Sequence, residues 1–63
     1  MNADQTVIQS AYEEALHTLY AKLFEAYITT GGAAAQEQEA DGRFIAGLTV
    51  ARRSRDRALA LLA

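Results

Sequence analysis

The sequence predicts an all-α fold: an antiparallel two-helix hairpin that dimerises into a four-helix bundle. Three observations favour it. The 63 residues contain no proline, apolar residues recur at intervals of three and four, and the Gly31-Gly32 pair lies near the middle of the chain. The predicted boundaries are helix one at about residues 3–30, a turn at 31–32 and helix two at about 33–62, in a single domain spanning residues 1–63.

Helix one has a start signal, an apolar stripe and an end signal. Asn2 is a favoured N-cap residue, and a carboxylate at Asp4 suits the positive end of the helix dipole. Two threonines followed by two glycines are typical of a helix C-terminus. The stripe, which we expect to form the core or an oligomer interface, contains Ile8, Tyr12, Leu16, Leu19, Leu23 and Tyr27.

Helix two is less regular because Asp41-Gly42 resembles a turn. Two predictions are open here: a continuous helix, or a short helix followed by a second one from Arg43. The continuous helix is favoured because only an unbroken helical phase places one set of residues on a single face. That set is Ala33 and Ala40 before Gly42, and Phe44, Leu48, Ala51, Leu59 and Leu62 after it. The five residues after Gly42 are again predicted core or interface.

A second, softer face on helix two suggests a further neighbour. Small and apolar residues recur beside the main stripe at intervals of three and four: Gly47, Val50, Ser54, Ala58 and Leu61. A chain this short needs additional stabilisation from disulfides, a metal or a partner subunit, and the absence of cysteine excludes disulfides. Apolar residues make up 51% of the chain, more than one helix–helix seam can cover. We therefore predict a homo-oligomer, either a dimer or a tetramer.

Charge placement favours an antiparallel pairing. Folding back at residues 31–32 brings Glu13 and Glu14 near Arg52 and Arg53, so ion pairs between the helices are expected. Arg55 falls within the apolar stripe of helix two. We expect it either to extend its charge past the interface or to pair across it with a carboxylate.

The arginine cluster of helix two offers a second functional hypothesis. Arginine guanidinium groups pair well with phosphates, so Arg52, Arg53 and Arg57 are candidate nucleic-acid contacts. At 100° per residue, however, they lie at about 160°, 260° and 300° and do not form one strip. The net charge of −2 also disfavours binding to phosphates. The pattern favours a structural role and no nucleic-acid partner.

Metal binding and catalysis find little support. Glu13, Glu14 and His17 contain the Glu-x-x-His spacing of dinuclear metal sites, but the other helix supplies too few inward carboxylates. Neither Ser10 nor Ser54 has a histidine placed to activate it. We predict no catalytic residues, no cofactor and no metal.

The leading hypothesis is a non-enzymatic, self-associating module for assembly or protein–protein interaction, which could also bind another protein. The alternative is a small nucleic-acid-binding regulator that uses the arginine cluster of a dimeric bundle. The N-terminal residues lack the basic flank and apolar run of a signal peptide, and no run approaches the ~20 apolar residues of a membrane span. We expect a cytoplasmic protein with no membrane contact.

Overall fold

The computed structural model describes residues 3–63 and contains two α-helices joined by a tight turn. Helix α1 spans Ala3–Thr30 and helix α2 spans Ala34–Leu62. They lie side by side in a body of 46 × 15 × 9 Å, and the described range has no strand. The all-α helical hairpin is therefore confirmed. Asn2, the predicted N-cap of α1, lies outside the described residues.

The turn depends on two glycines in the left-handed region. Gly31 has a φ of 60° and Gly32 a φ of 91°, values that L side chains rarely adopt. The Ala33 amide donates to the Thr30 carbonyl at 3.2 Å, which closes the turn. Ala33 itself is extended, with φ −69° and ψ 110°, and precedes the helix. The predicted start at residue 33 is thus one residue early, because Ala33 has to redirect the chain.

Helix α2 is continuous through Asp41-Gly42. Gly42 is helical and has no positive φ. An ion pair between Arg43 and Glu39, one helical turn apart at 3.6 Å, bridges this segment. A break at residues 41–42, the alternative that the sequence left open, does not form.

The two predicted stripes face each other along the seam between the helices. Their half-buried members are Ile8, Tyr12, Leu16, Leu19 and Leu23 on α1, and Phe44, Leu48, Ala51 and Leu59 on α2. The helices approach closely at Gly47, where the Leu19 side chain fills the space that a Cβ would need. A small residue at this position lets the two backbones come together.

Two stripe residues lie at the margin of the seam. Tyr27 is 39% exposed and Leu62 is 37% exposed. At this margin the Tyr27 hydroxyl donates a hydrogen bond to the Asp41 carboxylate of α2. Leu62 is the last residue of α2, and the first turns of α1 offer it only exposed neighbours.

Candidate interaction surface

The hairpin leaves most of its large apolar side chains open to solvent. Among the described residues only Ala40 is buried, at 4% exposure, and no side chain is fully enclosed. Packed domains normally enclose their large apolar residues. Those that remain exposed here are Val7, Tyr20, Phe24, Tyr27, Ile28, Ile45, Val50, Leu61 and Leu62.

One side of the hairpin carries a shallow apolar groove of about 590 Å³ between the helices. Leu19 and Gly47 lie at its floor. We call this side the groove face; it is lined by Ile8, Ala11, Tyr12, Ala15, Thr18, Leu19, Gly47, Val50, Ala51, Ser54, Arg55 and Ala58. Its α2 wall is the softer second face that the sequence indicated: Gly47, Val50, Ser54 and Ala58 of that face line the groove, whereas Leu61 borders the neighbouring depression on α2.

Toward the turn, the same side carries charged residues at its borders. A second depression, of about 570 Å³, shares Leu19 with the groove and is bordered by Lys22 and Glu25 of α1. Glu39 and Arg43 of α2 border it on the other side. The side that carries the groove face thus has an apolar half near the chain ends and a half with charged borders near the turn.

Aromatic residues occupy the opposite side of the hairpin. Tyr20 lies about 180° around α1 from Ala11, and Ile45 lies the same angle around α2 from Ser54, at 100° per residue. The rings of Tyr20 and Phe24 stack with centroids 6.3 Å apart and planes 5° apart. We call this side, formed by Tyr20, Phe24, Tyr27 and Ile45, the aromatic face. It is a second exposed apolar surface.

Arg55 occupies the seam without an interhelical carboxylate partner. Its guanidinium carbon lies 4.3 Å from the centre of the Tyr12 ring. Its Nε and Nη2 atoms each lie 3.0 Å from the carboxylate of the neighbouring Asp56. Of the two expected arrangements, extension past the interface or pairing across it, the pairing with an interhelical carboxylate is not found among residues 3–63. A cation–π contact across the seam compensates the charge in this partly apolar position.

The expected ion pairs of Glu13 and Glu14 with Arg52 and Arg53 do not form. Both ion pairs found among residues 3–63 lie within α2. Glu13 instead accepts a hydrogen bond from Gln9, one turn earlier on α1. Glu13, Glu14, Arg52 and Arg53 are all exposed to solvent.

The candidate nucleic-acid residues Arg52, Arg53 and Arg57 are all exposed. Arg53 and Arg57 border a depression with Val50 and Leu61 on the outer side of α2. Arg52 lies about 100° to 140° around the helix from them. The structure therefore spreads the three guanidinium groups over more than one side, as their spacing predicted.

His17 is exposed, and residues 3–63 hold no cluster of three histidine, cysteine or carboxylate side chains that could bind a metal. Sequence reasoning assigned no role to Val7, Ile28 and Ile45, although all three are more than 60% exposed. The only sequence feature that could have identified them is that each is apolar and lies away from the main stripe of its helix.

Tyr27 and Asp41 form the hydrogen bond that links the helices near the turn. This bond, with smaller contributions from desolvation and the charges of Asp41 and Glu37, raises the pKa of Tyr27 to about 12. The ordinary tyrosine pKa is about 10. Because the pKa is higher in the folded state, the bond's stabilisation is complete below pH ~10 and is lost as the pH rises through about 12.

Alkaline titration should therefore show a late phenolate absorbance step that belongs to Tyr27. In Tyr27→Phe we expect that step to disappear. In Asp41→Asn we expect it to move to lower pH, because a neutral acceptor does not oppose phenolate formation. A late step that persists in Tyr27→Phe would contradict the assignment.

Comparison with known proteins identified no similar protein. No protein-family model matches the chain, and neither a curated protein nor a solved structure is significantly similar to it. Within the described residues, neither helix is apolar over the length that a bilayer crossing requires. The chain's function is therefore inferred from its own residues.

Proposed function

We propose that this chain is a non-enzymatic assembly module that associates with a second copy of itself to form a four-helix bundle. The observation that carries the proposal is the open core: only Ala40 is buried among the described residues, whereas nine large apolar side chains are exposed. A single hairpin has one seam, and each of its helices has apolar residues on more than one side. A second hairpin gives each helix another neighbour.

The accessible surface supports the same proposal. The hairpin exposes 4839 Å². A compact monomer of 6.8 kDa is expected to expose roughly 4,000 Å². The excess, roughly 800 Å², is about one partner's share of a standard protein–protein interface. Pairing would bring the exposed area per chain to that of an ordinary folded protein.

Sedimentation and thermal unfolding test the proposal together. We expect a dimer at micromolar concentration, and a melting temperature that rises with protein concentration because association is linked to folding. A tetramer would also support self-association and would indicate that both apolar faces are used. A monomeric mass with full helicity and a concentration-independent melting temperature would contradict the proposal.

Nucleic-acid binding is the competing outcome. If the arginines serve only stability and solubility, duplex DNA and structured RNA should not bind at about 150 mM salt, where phosphate contacts are strongly weakened. Submicromolar binding under these conditions would replace the assembly role with a regulator, provided that two further results hold. The triple variant Arg52→Ala, Arg53→Ala, Arg57→Ala would have to lose binding, and it would have to keep its helicity and mass.

A further inference from the structure

We infer that the second copy docks on the groove face, with α1 of each copy lying antiparallel over α2 of the other. This inference rests on the proposed self-association and specifies its surface and direction. Three observations carry it: the exposed apolar residues along this face, the relative levels of the two helices, and their opposite net charges.

The apolar residues bordering the groove need a cover that the hairpin does not supply. Val7 on α1 is 65% exposed, and Val50 and Leu61 on α2 are 61% and 68% exposed. At 100° per residue, Val7 lies about 20° around α1 from Thr18, and Leu61 lies about 20° around α2 from Ser54, so each flanks a residue that lines the groove. A second copy on this face, with one of its helices over each helix of the first, would cover all three residues and the floor at Gly47.

The contacts between the helices show which residues of α1 and α2 lie at the same height along the helix axes, which we call the same level. Leu19 contacts Gly47, Tyr12 contacts Arg55 and Tyr27 contacts Asp41. Position i of α1 therefore lies beside about position 67 − i of α2. A two-fold axis parallel to the helices keeps every residue at its own level and exchanges α1 with α2. Val7 of one copy then lies over Leu61 of the other.

The net charges of the helices favour this arrangement over one in which the two-fold axis is perpendicular to the helices. Helix α1 carries four acids and one lysine, whereas α2 carries five arginines and four acids. Crossing the helices places the negative α1 over the positive α2 and brings Glu25 of one copy near Arg43 of the other. Rotating about an axis perpendicular to the helices would instead place α1 over α1, where like charges repel.

A matched pair of substitutions tests the face. Val50 and Ile45 are both β-branched, both on α2 and both 61% exposed, but they lie on opposite sides of the hairpin. We expect Val50→Glu to raise the dimer dissociation constant by at least about 100-fold, because it buries a carboxylate in an apolar contact. Ile45→Glu should change it by less than about 3-fold, as expected for a substitution outside the contact.

Every other outcome overturns the inference. Dissociation caused by Ile45→Glu alone would place the interface on the aromatic face. Equal effects of both substitutions, or of neither, would exclude the groove face as the specific contact. A wild-type chain that is already monomeric would instead refute the proposed self-association, so the two failures are distinguishable.

Cysteine cross-linking tests the direction without requiring a destabilised variant. The native chain has no cysteine, so introduced thiols report only on themselves. A mixture of Val7→Cys chains and Leu61→Cys chains should form disulfide-linked heterodimers on mild oxidation, because a disulfide requires Cα atoms within about 7 Å. Each variant alone should remain un-cross-linked. Preferential cross-linking within one variant, or none in the mixture, would contradict the crossed arrangement.

Discussion

Leu19→Ala is expected to lower the free energy of unfolding by about 2–5 kcal/mol, the range for truncated core leucines. Leu19 lies in the seam and borders both depressions of the groove face. Its side chain also fills the space beside Gly47, where the three nearest atoms to an added Cβ all belong to Leu19. Chemical denaturation monitored by far-ultraviolet circular dichroism, at a fixed protein concentration, measures the loss.

Ile28→Ala is the matched control for this prediction. It removes the same number of carbons from the same helix, but Ile28 is 67% exposed and lines neither depression of the groove face. Its substitution should cost less than about 0.5 kcal/mol, as for most surface positions. Similar losses at Leu19 and Ile28 would show that the seam does not carry the stability of the fold.

Two glycines of α2 should respond in opposite directions to substitution by alanine. Gly42→Ala is expected to stabilise the protein by roughly 0.5–1 kcal/mol, because alanine favours the helix and no atom lies within 4 Å of the added Cβ. Gly47→Ala gains the same propensity but forces its methyl group into Leu19, an overpacking that typically costs about 1–3 kcal/mol. Thermal and urea unfolding of the two variants measure the difference.

A double-mutant cycle isolates the cause of that difference. In a Leu19→Ala background the obstruction at Gly47 is gone, so Gly47→Ala should become stabilising, as Gly42→Ala is. If Gly47→Ala stays destabilising without the leucine, the close approach of the helices is not the reason. If it already stabilises the wild-type chain, the packing described at the floor of the groove is wrong.

Periodicity was sufficient to predict the hairpin. The Gly31-Gly32 pair, the absence of proline and the apolar stripes specified two helices, and the structure places a turn at these glycines. These signals are local: each depends on residues within a few positions of one another. The path through Asp41-Gly42 could not be read from propensity alone and followed from the phase of the stripe on either side.

Side-chain partners were harder to predict than the helices. Arg55 was expected to extend outward or to meet a carboxylate across the interface, but it stacks on Tyr12. The pairing of Glu13 and Glu14 with arginines was also wrong. Such contacts depend on the levels and rotation of the two helices to within a few ångströms, and one sequence does not specify these.

The candidate surface was predicted in part. The softer face of α2 was evident from the spacing of Gly47, Val50 and Ser54, and these residues line the groove. On α1, Ile8, Tyr12 and Leu19 of the groove wall belong to the predicted stripe. Ala11 and Thr18 were not predicted, because they give only a weak hydrophobic signal beside that stripe. A shallow groove made by small side chains becomes visible only when both walls are in place.

The turn also determines which copy of α2 each α1 pairs with. Because Gly31 and Gly32 both require a left-handed backbone, replacing both with alanine would disfavour the bend and favour helix through the connection. A continuous helix of about 60 residues would be about 90 Å long, roughly twice the 46 Å of the hairpin. Each half of this long helix would then have to pack against a helix of another chain, the exchange known as domain swapping. In this protein, Gly31 and Gly32 therefore favour the hairpin over a domain-swapped dimer of two long helices.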